Sequence, residues 1–302
     1  IVDMAHLGAR AFDEIGGEVV QTTAFVSCGR RVADFKGTYV RLVDIVGEWE
    51  KEAEYRSGNH RYIAKQENFS KIPGSPVAYW VSENFVRAFE SDNLRNHVNA
   101  VKGLDTCDND TFTRHWFEVE YKKIGFDKSD STQTYSHKWY PYCKGGGYSK
   151  WYGFMNIVVN WENDGLILRN IRDKNGKIKS RPQNIRYYFK EGLTWSTITS
   201  YKLSLRYMNN CIFGGVGSAM FCDKDMFFYL GYINSKVTEY TLSLLNPTLN
   251  FLVGDILSLP VVAACEEKKK VVESSVKENI ALSKDDWDSF ETSWDFERHP
   301  LV

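Results

Sequence analysis

The clearest pattern of apolar positions predicts a helix over residues 225–246. Its apolar residues recur at steps of three and four, so they share one helical face, and Asn246-Pro247 would end the helix: Met226, Leu230, Ile233, Val237, Tyr240 and Leu244. A weaker pattern of the same period predicts a second helix over 261–282. Such faces usually pack in a protein core, so neither pattern by itself indicates a cofactor site.

The first third of the chain predicts mixed secondary structure. Met4, Leu7 and Ala11 have helical spacing, and Gly16-Gly17 breaks that pattern. Residues 18–26 and 37–43 are rich in β-branched and aromatic side chains, which predicts a β-hairpin with a long connection over 16–43.

A charged helix is predicted over 48–62, and the Pro-Gly-Ser-Pro stretch within 71–76 predicts a domain boundary. Ser75-Pro76 is typical of a helix start, with serine as the cap and proline in the first turn, and this helix would extend to about Val98.

Residues 110–200 alternate aromatic, strand-like stretches with turn residues, and Asp173-Lys-Asn-Gly176 predicts a hairpin turn. Within them, residues 136–165 contain three tryptophans, a triple glycine, and lysines at 138, 144 and 150. Rings and cations around flexible glycines suit a surface that contacts phosphates and bases. An aromatic β-hairpin whose lysines only keep it soluble fits the same composition, and both interpretations stay open at this level.

Composition is that of an ordinary globular protein, with 302 residues, 43% hydrophobic and 25% charged. The net charge of −1 excludes a uniformly basic nucleic-acid binder, but it averages unequal parts. Residues 101–262 carry 20 Lys+Arg against 15 Asp+Glu, whereas residues 263–302 carry 6 against 10.

Eight of the cations fall in 169–190: Arg169, Arg172, Lys174, Lys177, Lys179, Arg181, Arg186 and Lys190. Phosphate contact and a solvated hairpin face both fit this run, and its position beside residues 136–165 favours phosphate contact.

The six cysteines are scattered without a CxxC pair, so we expect reduced thiols in a cytoplasmic protein and no metal site. No apolar run reaches the ~20 residues that a membrane-spanning helix needs.

The sequence lacks the motifs of a complete methyltransferase. The seven prolines are never adjacent, so the Asn-Pro-Pro-aromatic motif that holds a flipped base is missing, and the Gly-rich stretch 213–218 lacks the pattern of a phosphate loop. Glu118, Glu120 and Lys122, with Asp108 and Asp110 upstream, offer part of a metal-dependent nuclease site. Short matches of this kind often arise by chance, and an exposed strand face with alternating charge is the favoured interpretation.

Several longer motifs resemble one family, the adenine-specific DNA methyltransferases of BREX phage-defence systems (the PglX family). They occur in the expected order over nearly the whole chain: residues 12–25 (FDEIGGEVVQTTAF), 73–82 (PGSPVAYWVS), 103–112 (GLDTCDNDTF), 139–147 (WYPYCKGGG), 159–165 (VNWENDG), 194–196 (TWS), 245–251 (LNPTLNF) and 253–256 (VGDI). At Thr111, many members have an arginine instead.

The resemblance implies a part of a longer enzyme with a mixed α+β fold. Residues 1–45 would be the helix and β-hairpin that end a Rossmann-like methyltransferase domain, 46–74 a helical linker, 75–262 a mixed α/β target-recognition domain, and 263–302 an acidic helical tail. The cofactor S-adenosylmethionine and the catalytic motif would belong to the preceding domain, so we expect no catalytic residue here and no methyl transfer by this chain alone.

The partner implied by the resemblance is double-stranded DNA, with other defence-system proteins as further candidates. Candidate DNA contacts are Arg114, Lys138, Tyr140, Lys144, Lys150, Trp151, Tyr152, Arg169, Arg172, Lys174, Lys177, Lys179, Arg181 and Arg206. Arg206 is a candidate for reading bases, as are Asn156, Asn160 and Asn209, because arginine and asparagine pair bidentately with guanine and adenine edges. The alternative function is a module that binds a defence-complex protein or a phage inhibitor.

Overall fold

The computed structural model describes residues 1–14, 21–30, 32–131, 136–199, 201–246, 248–261 and 263–302. Contacts divide the chain into two compact units, Ile1–Asp92 and Asn93–Val302. The elements of the first unit are β1 (Asp3–Gly8), β2 (Thr22–Val26), β3 (Lys36–Arg41), α1 (Glu48–Ser57), β4 (Arg61–Lys65), a 3₁₀ helix at Gln66–Lys71, and α2 (Glu83–Ala88). Its sheet has the strand order β2-β1-β3-β4.

The helix predicted from residues 1–12 is wrong, because Asp3–Gly8 is a strand inside this sheet. β1 pairs antiparallel with β2 and parallel with β3, so both edges of its backbone are hydrogen-bonded. Met4 and Leu7 have helical spacing, but Met4 lies on a strand and packs in a core cluster with Tyr39 of the neighbouring β3. Sheet pairing on both sides therefore outweighs a short apolar pattern.

The β-hairpin predicted over 16–43 is also wrong, since β2 and β3 each pair with β1 and β3 forms its antiparallel pair with β4. The predicted break at Gly16-Gly17 and residues 18–20 of the first predicted strand lie outside the described residues.

The two helices predicted in this unit are shorter than expected. α1 ends at Ser57 because Gly58 adopts a left-handed conformation (φ 81°), and the chain then enters β4. Ser75 does not start a helix, since its φ is 51°. The helix begins after Ser82, whose hydroxyl accepts a hydrogen bond from the Phe85 N–H (3.2 Å), and it ends at Ala88.

Within the second unit, the described residues form three sheets and most of the helices. Its strands are β5 (Asn99–Val101), β6 (Leu104–Asp105), β7 (Thr113–His115), β8 (Trp139–Cys143), β9 (Ile157–Asn160), β10 (Arg181–Pro182), β11 (Gly192–Ser196), β12 (Leu205–Met208), β13 (Ile212–Phe213) and β14 (Gly217–Phe221). Its helices are α3 (Asn109–Phe112), α4 (Glu162–Asn170), α5 (Met226–Ile233), α6 (Lys236–Leu245), α7 (Val253–Leu257) and α8 (Glu266–Asp288), with 3₁₀ helices at Leu94–Asn96, Trp116–Glu118, Tyr121–Lys123 and Ile185–Tyr187.

The sheet β12-β11-β14-β5 separates two core clusters. Leu193 and Trp195 of β11 belong to the cluster that also contains residues of α5 to α8, whereas Ala219, opposite Thr194, belongs to the second. The second cluster lies between this sheet and the sheet β13-β8-β9-β7. Alternation along the strands thus builds cores on both faces of one sheet, and the predicted mixed α/β class is confirmed.

The long helix predicted over 225–246 is two helices, α5 and α6. They are interrupted at Asn234, whose side-chain amide accepts from the Leu205 N–H (2.9 Å) and donates to the Leu205 carbonyl (3.0 Å). Ser235 then caps α6 through the Thr238 N–H (3.3 Å). The break fixes the helix pair to β12, and it leaves Val237 and Tyr240 exposed although the apolar pattern placed them in the core.

Helix α8 begins and ends later than the predicted 261–282. It packs on α5 where Gly231 leaves room for Val272 and Val276, and the following segment is held by the Trp116 indole N–H, which donates to the Thr292 carbonyl (3.0 Å). Residues 263–302 therefore belong to the second compact unit. Among the described residues, no helix has both the length and the apolar character that crossing a bilayer requires.

Candidate nucleic-acid interface

The triple glycine lies in a loop that begins where the buried strand β8 ends, and we call residues 144–147 the glycine loop. The Ser196 hydroxyl fixes it, accepting from the Gly146 N–H (2.9 Å) and donating to the Gly146 carbonyl (2.8 Å). A Cβ on Gly146 would lie 2.4 Å from the Phe154 ring. Glycine at 146 is therefore required by close packing inside the protein, and Lys144 is presented from a fixed loop.

The stretch 214–217 joins the glycine loop to its neighbours. The Gly214 N–H donates to the Cys143 carbonyl (2.9 Å), and the Val216 carbonyl accepts from the Thr197 N–H (2.7 Å). On its other side, the Gly215 N–H donates to the Leu104 carbonyl (3.1 Å). The loops after β6, β8, β11 and β13 therefore form one continuous edge of the second unit.

The basic run forms an arm at residues 171–181, which we call the basic arm. The predicted turn is confirmed: the Gly176 N–H donates to the Asp173 carbonyl (3.0 Å), and the Asp173 carboxylate accepts from the N–H groups of Asn175 (2.8 Å) and Lys177 (2.9 Å). The strands of the predicted hairpin are not regular, since α4 occupies most of the first and a single bridge joins Arg172 to Ile178.

The basic arm is attached to the same edge as the glycine loop. In β10, Arg181 pairs with Asp105 and Pro182 with Leu104, the residue that also contacts the 214–217 stretch. The arm and the glycine loop are thus linked through β6 by backbone hydrogen bonds.

The charged side chains of the basic arm are almost all positive. Its five cations are exposed, and none forms an ion pair with a carboxylate of the described residues: Arg172, Lys174, Lys177, Lys179 and Arg181. The one acid within the arm, Asp173, accepts the turn's N–H groups. Arg186 and Lys190 add two exposed cations beside the Tyr187 ring. Such a surface attracts a polyanion.

Two candidate contacts are buried. Tyr140 and Arg206 are each 1% exposed. The Arg206 guanidinium lies 5.0 Å from the Phe154 ring centroid, and its Nη2 donates to the Ser196 hydroxyl (3.3 Å), while Nε and Nη1 have no hydrogen-bond partner among the described residues. Burial lowers the pKa of Arg206 to about 10. In this structure neither side chain reaches the surface, so we leave both out of the interface.

Other candidate contacts are engaged within the protein. Arg114 donates to the backbone carbonyls of Asp110 and Thr113. Lys150 donates to the Asn234 carbonyl (2.6 Å). The rest lie against rings or in core packing: Lys138 over Trp139, Arg169 over Trp161, Tyr152 under Lys284, and Trp151 against the first core cluster. Of the candidate cations, this leaves the five exposed ones of the basic arm and the half-buried Lys144.

The weaker base-reading candidates do not form one group. Asn209 is exposed after β12, whereas Asn156 and Asn160 are half-buried at the two ends of β9.

The residues proposed for a nuclease are not assembled into a site. Glu118 accepts from the His115 N–H (2.7 Å), and Glu120 pairs with Lys123 (2.8 Å). Glu118 ends one 3₁₀ helix and Glu120 precedes the next, so the two do not share a strand face. The described residues contain no group of three or more His, Cys, Asp or Glu side chains that could hold a metal ion.

A feature that the sequence did not indicate is an aromatic pair near the glycine loop. Tyr148 and Tyr201 are both exposed and meet edge-to-face with their ring centroids 5.0 Å apart. Tyr201 lies in the loop between β11 and β12, and no local pattern links it to Tyr148, so the pair is visible only after folding.

Comparison with known proteins identifies the family. The chain belongs to the BREX-type adenine-specific methyltransferases, of which it represents one part. It is 40% identical over 314 residues to the adenine-specific methyltransferase PglX of Lacticaseibacillus casei (strain Zhang) and 39% identical over 307 residues to the adenine-specific methyltransferase BrxX of Escherichia coli O9:H4 (strain HS). Both matches cover 100% of this chain but 26% and 24% of those proteins, so the chain spans about a quarter of the curated relatives it matches. No protein-family model matches it. The resemblance seen in the sequence is thereby confirmed.

Proposed function

We propose that this chain is the DNA target-recognition part of an N6-adenine-specific DNA methyltransferase of a phage-defence system. The observation that carries the proposal is the basic arm, with five exposed cations unpaired among the described residues, on the edge that also presents Lys144. Phosphate contacts from such cations position a protein on a duplex, while neighbouring loops read base edges or shape. The family supplies the reaction, because its named members are adenine-specific methyltransferases.

In this proposal the compact unit Asn93–Val302 binds double-stranded DNA, and residues 1–45 belong to the methyltransferase domain. S-adenosylmethionine and the catalytic Asn-Pro-Pro-Tyr motif would lie in parts of the longer enzyme, since no such motif occurs in this sequence. The whole enzyme would act in the cytoplasm, where its DNA substrate is found. The chain alone should then bind duplex DNA without transferring a methyl group from S-adenosylmethionine.

The test is DNA binding by a variant with three neutralised arm lysines, Lys174→Gln, Lys177→Gln and Lys179→Gln. Arg172 is retained because its guanidinium donates to the Gly176 carbonyl (2.7 Å) and supports the turn. Each lost phosphate contact lowers the slope of log K against log salt by about 0.9, so three reduce affinity at ~0.1 M salt by up to about 500-fold.

The matched control makes the same charge change elsewhere, with Lys224→Gln, Lys268→Gln and Lys270→Gln at exposed positions outside the edge. Fluorescence anisotropy with a labelled duplex, repeated over a range of salt concentrations, measures both variants. A lower affinity and a shallower salt slope for the arm variant alone support the proposal, whereas equal losses in the two variants overturn it.

A protein-interaction role is the second candidate, and exposed rings outside the glycine loop and the basic arm favour it. Phe117 is 58% and Tyr121 56% exposed, and His115 stacks on Phe117 at 5.2 Å. A Phe117→Ser/Tyr121→Ser variant that loses a protein partner, while the arm variant binds DNA as tightly as the wild type, would favour this role over DNA recognition.

A further inference from the structure

A small cavity lies between the loop after β11 and the pair of helices α5 and α6. Its volume is about 260 Å³. The floor is apolar and consists of four buried side chains, Leu203, Ile233, Leu242 and Phe251. At this size, just below the ~300–1,000 Å³ of pockets for drug-sized molecules, it suits a single ring system.

One wall of the cavity carries a fixed cation. Lys150 lines it, and its ammonium group donates to the Asn234 carbonyl at the break between α5 and α6 (2.6 Å). An ammonium group has three donors, so hydrogen bonds beyond this one remain for a ligand.

The mouth of the cavity is aromatic and charged. Tyr201 lines it, is 58% exposed, and meets the Tyr148 ring edge-to-face. Lys202, also in the lining, lies 5.3 Å from the Tyr201 ring centroid and pairs with Glu239 (2.6 Å). An exposed tyrosine beside lysines offers a stacking surface next to positive charge.

The cavity adjoins the edge that carries the glycine loop. The Thr197 N–H, at the start of the loop that lines the cavity, donates to the Val216 carbonyl, and the Ser149 N–H donates to the Ser204 hydroxyl (3.3 Å). The glycine loop thus runs directly into Tyr148 and Lys150 at the cavity.

We propose that this cavity binds one unstacked nucleobase of the bound DNA. The base stacks on Tyr201 and contacts the apolar floor, while Lys150 donates to an acceptor of the base or its adjoining phosphate. An enzyme that flips its target base out of a duplex leaves the partner base unpaired, and this partner can then leave the stack and enter a second site. This inference rests on the proposed function, because it takes DNA as the ligand.

The test compares a fully paired duplex with one that carries a single bulged 2-aminopurine, a fluorescent base. Stacking of one base on an aromatic side chain is worth ~1–3 kcal/mol, so the wild type should prefer the bulged duplex by at least about fivefold and quench its fluorescence. Tyr201→Ala should remove the preference and the quenching, and Tyr201→Phe should keep both. Because Tyr201 is exposed, neither substitution disturbs the core.

The outcomes separate this inference from the proposed function. Binding of both duplexes with equal affinity, without quenching, overturns the base site and leaves DNA recognition standing. Failure to bind either duplex overturns DNA recognition as well. If a bound protein shields Tyr201 from solvent and DNA does not, the base site is also overturned, because the cavity would then belong to a peptide side chain.

Discussion

Replacement of Arg206 by methionine tests whether this side chain reads DNA, as the sequence suggests, or is a buried cation, as in the structure. Its guanidinium is 1% exposed and contacts the Phe154 ring and the Ser196 hydroxyl. Two of its nitrogens have no hydrogen-bond partner among the described residues. A buried cation without a carboxylate partner disfavours the folded state, and an apolar residue of similar length should relieve that cost.

The size of the expected change in the free energy of unfolding follows from the pKa of the guanidinium. Burial lowers this pKa from 12.5 to about 10, which corresponds to ~3 kcal/mol against the charged form in the folded state. Loss of the contact with Phe154 costs up to ~2 kcal/mol, and a methionine–aromatic contact returns ~0.3–1.5 kcal/mol. The Ser196 hydroxyl retains both hydrogen bonds to Gly146, so the substitution does not leave this hydroxyl without a partner. We therefore expect Arg206→Met to raise the free energy of unfolding by ~1–2 kcal/mol.

The sign of the pH dependence is also determined. A cation whose folded pKa lies below its unfolded value destabilises the protein at every pH below the folded pKa, and this cost disappears as pH rises from about 10 to 12.5. The difference between variant and wild type should hence be constant from pH 6 to 8, which denaturant titrations monitored by tryptophan fluorescence can measure.

Affinity for duplex DNA gives the second readout. Loss of a bidentate base contact would cost ~1–3 kcal/mol of discrimination, whereas a buried Arg206 predicts unchanged affinity and sequence preference. Arg206→Lys, which keeps the charge, is the control and should not be stabilised. A fall in DNA affinity at unchanged stability, or a loss of more than ~1 kcal/mol in the unfolding free energy, would refute the reasoning.

Four further substitutions test the packing of the second unit. Gly103→Ala places a Cβ 1.9 Å from the Phe213 carbonyl oxygen, so it should lower the free energy of unfolding by more than ~2 kcal/mol in thermal or denaturant unfolding. Gly254→Ala has open space around its Cβ in α7 and should raise that free energy by up to ~1 kcal/mol. Equal effects of the two substitutions would contradict the packing. Burial lowers the pKa of Lys128 from 10.5 to about 8, so the charged amine disfavours folding below pH 8 and this cost decreases toward pH 10.5. Between pH 7 and 9.5 the free energy of unfolding of the wild type should therefore rise relative to that of Lys128→Met. Parallel pH profiles of the two proteins would contradict this. Trp116→Phe removes the hydrogen bond to the Thr292 carbonyl, so it should lower the free energy of unfolding by ~1 kcal/mol and speed proteolysis within residues 290–302. An unchanged cleavage rate would show that this hydrogen bond does not hold the segment.

Local signals were the ones that predicted structure correctly. The turn at 173–176 forms because the Asp173 side chain accepts from N–H groups two and four residues later, which depends on nearby residues alone. Helix α8 was also predicted from a local signal, the amphipathic period within its own sequence, although its bounds differ from the prediction.

Predictions failed where a distant partner decides the structure. Asn234 divides the predicted helix because its amide matches the backbone of Leu205, which lies in another element. Arg206 looked like a surface cation, yet its register opposite Thr194 turns it toward the core between two sheets. Neither partner is visible from spacing, and the same holds for Tyr148 and Tyr201, which only the loop connections bring together.

The near-zero net charge of the chain does not weigh against DNA binding. Electrostatic attraction in 0.1 M salt extends only about 10 Å, so a phosphate senses the charges of the nearest surface and not the sum over the chain. The net charge of −1 combines the exposed cations of the basic arm with the acidic residues 263–302, which carry 10 Asp+Glu. Seven of those ten acids lie in α8, which packs on α5, whereas the arm is attached through β6 to the glycine loop. Because the two charged segments are attached to different elements, a chain of nearly neutral composition can present a local surface suited to a polyanion.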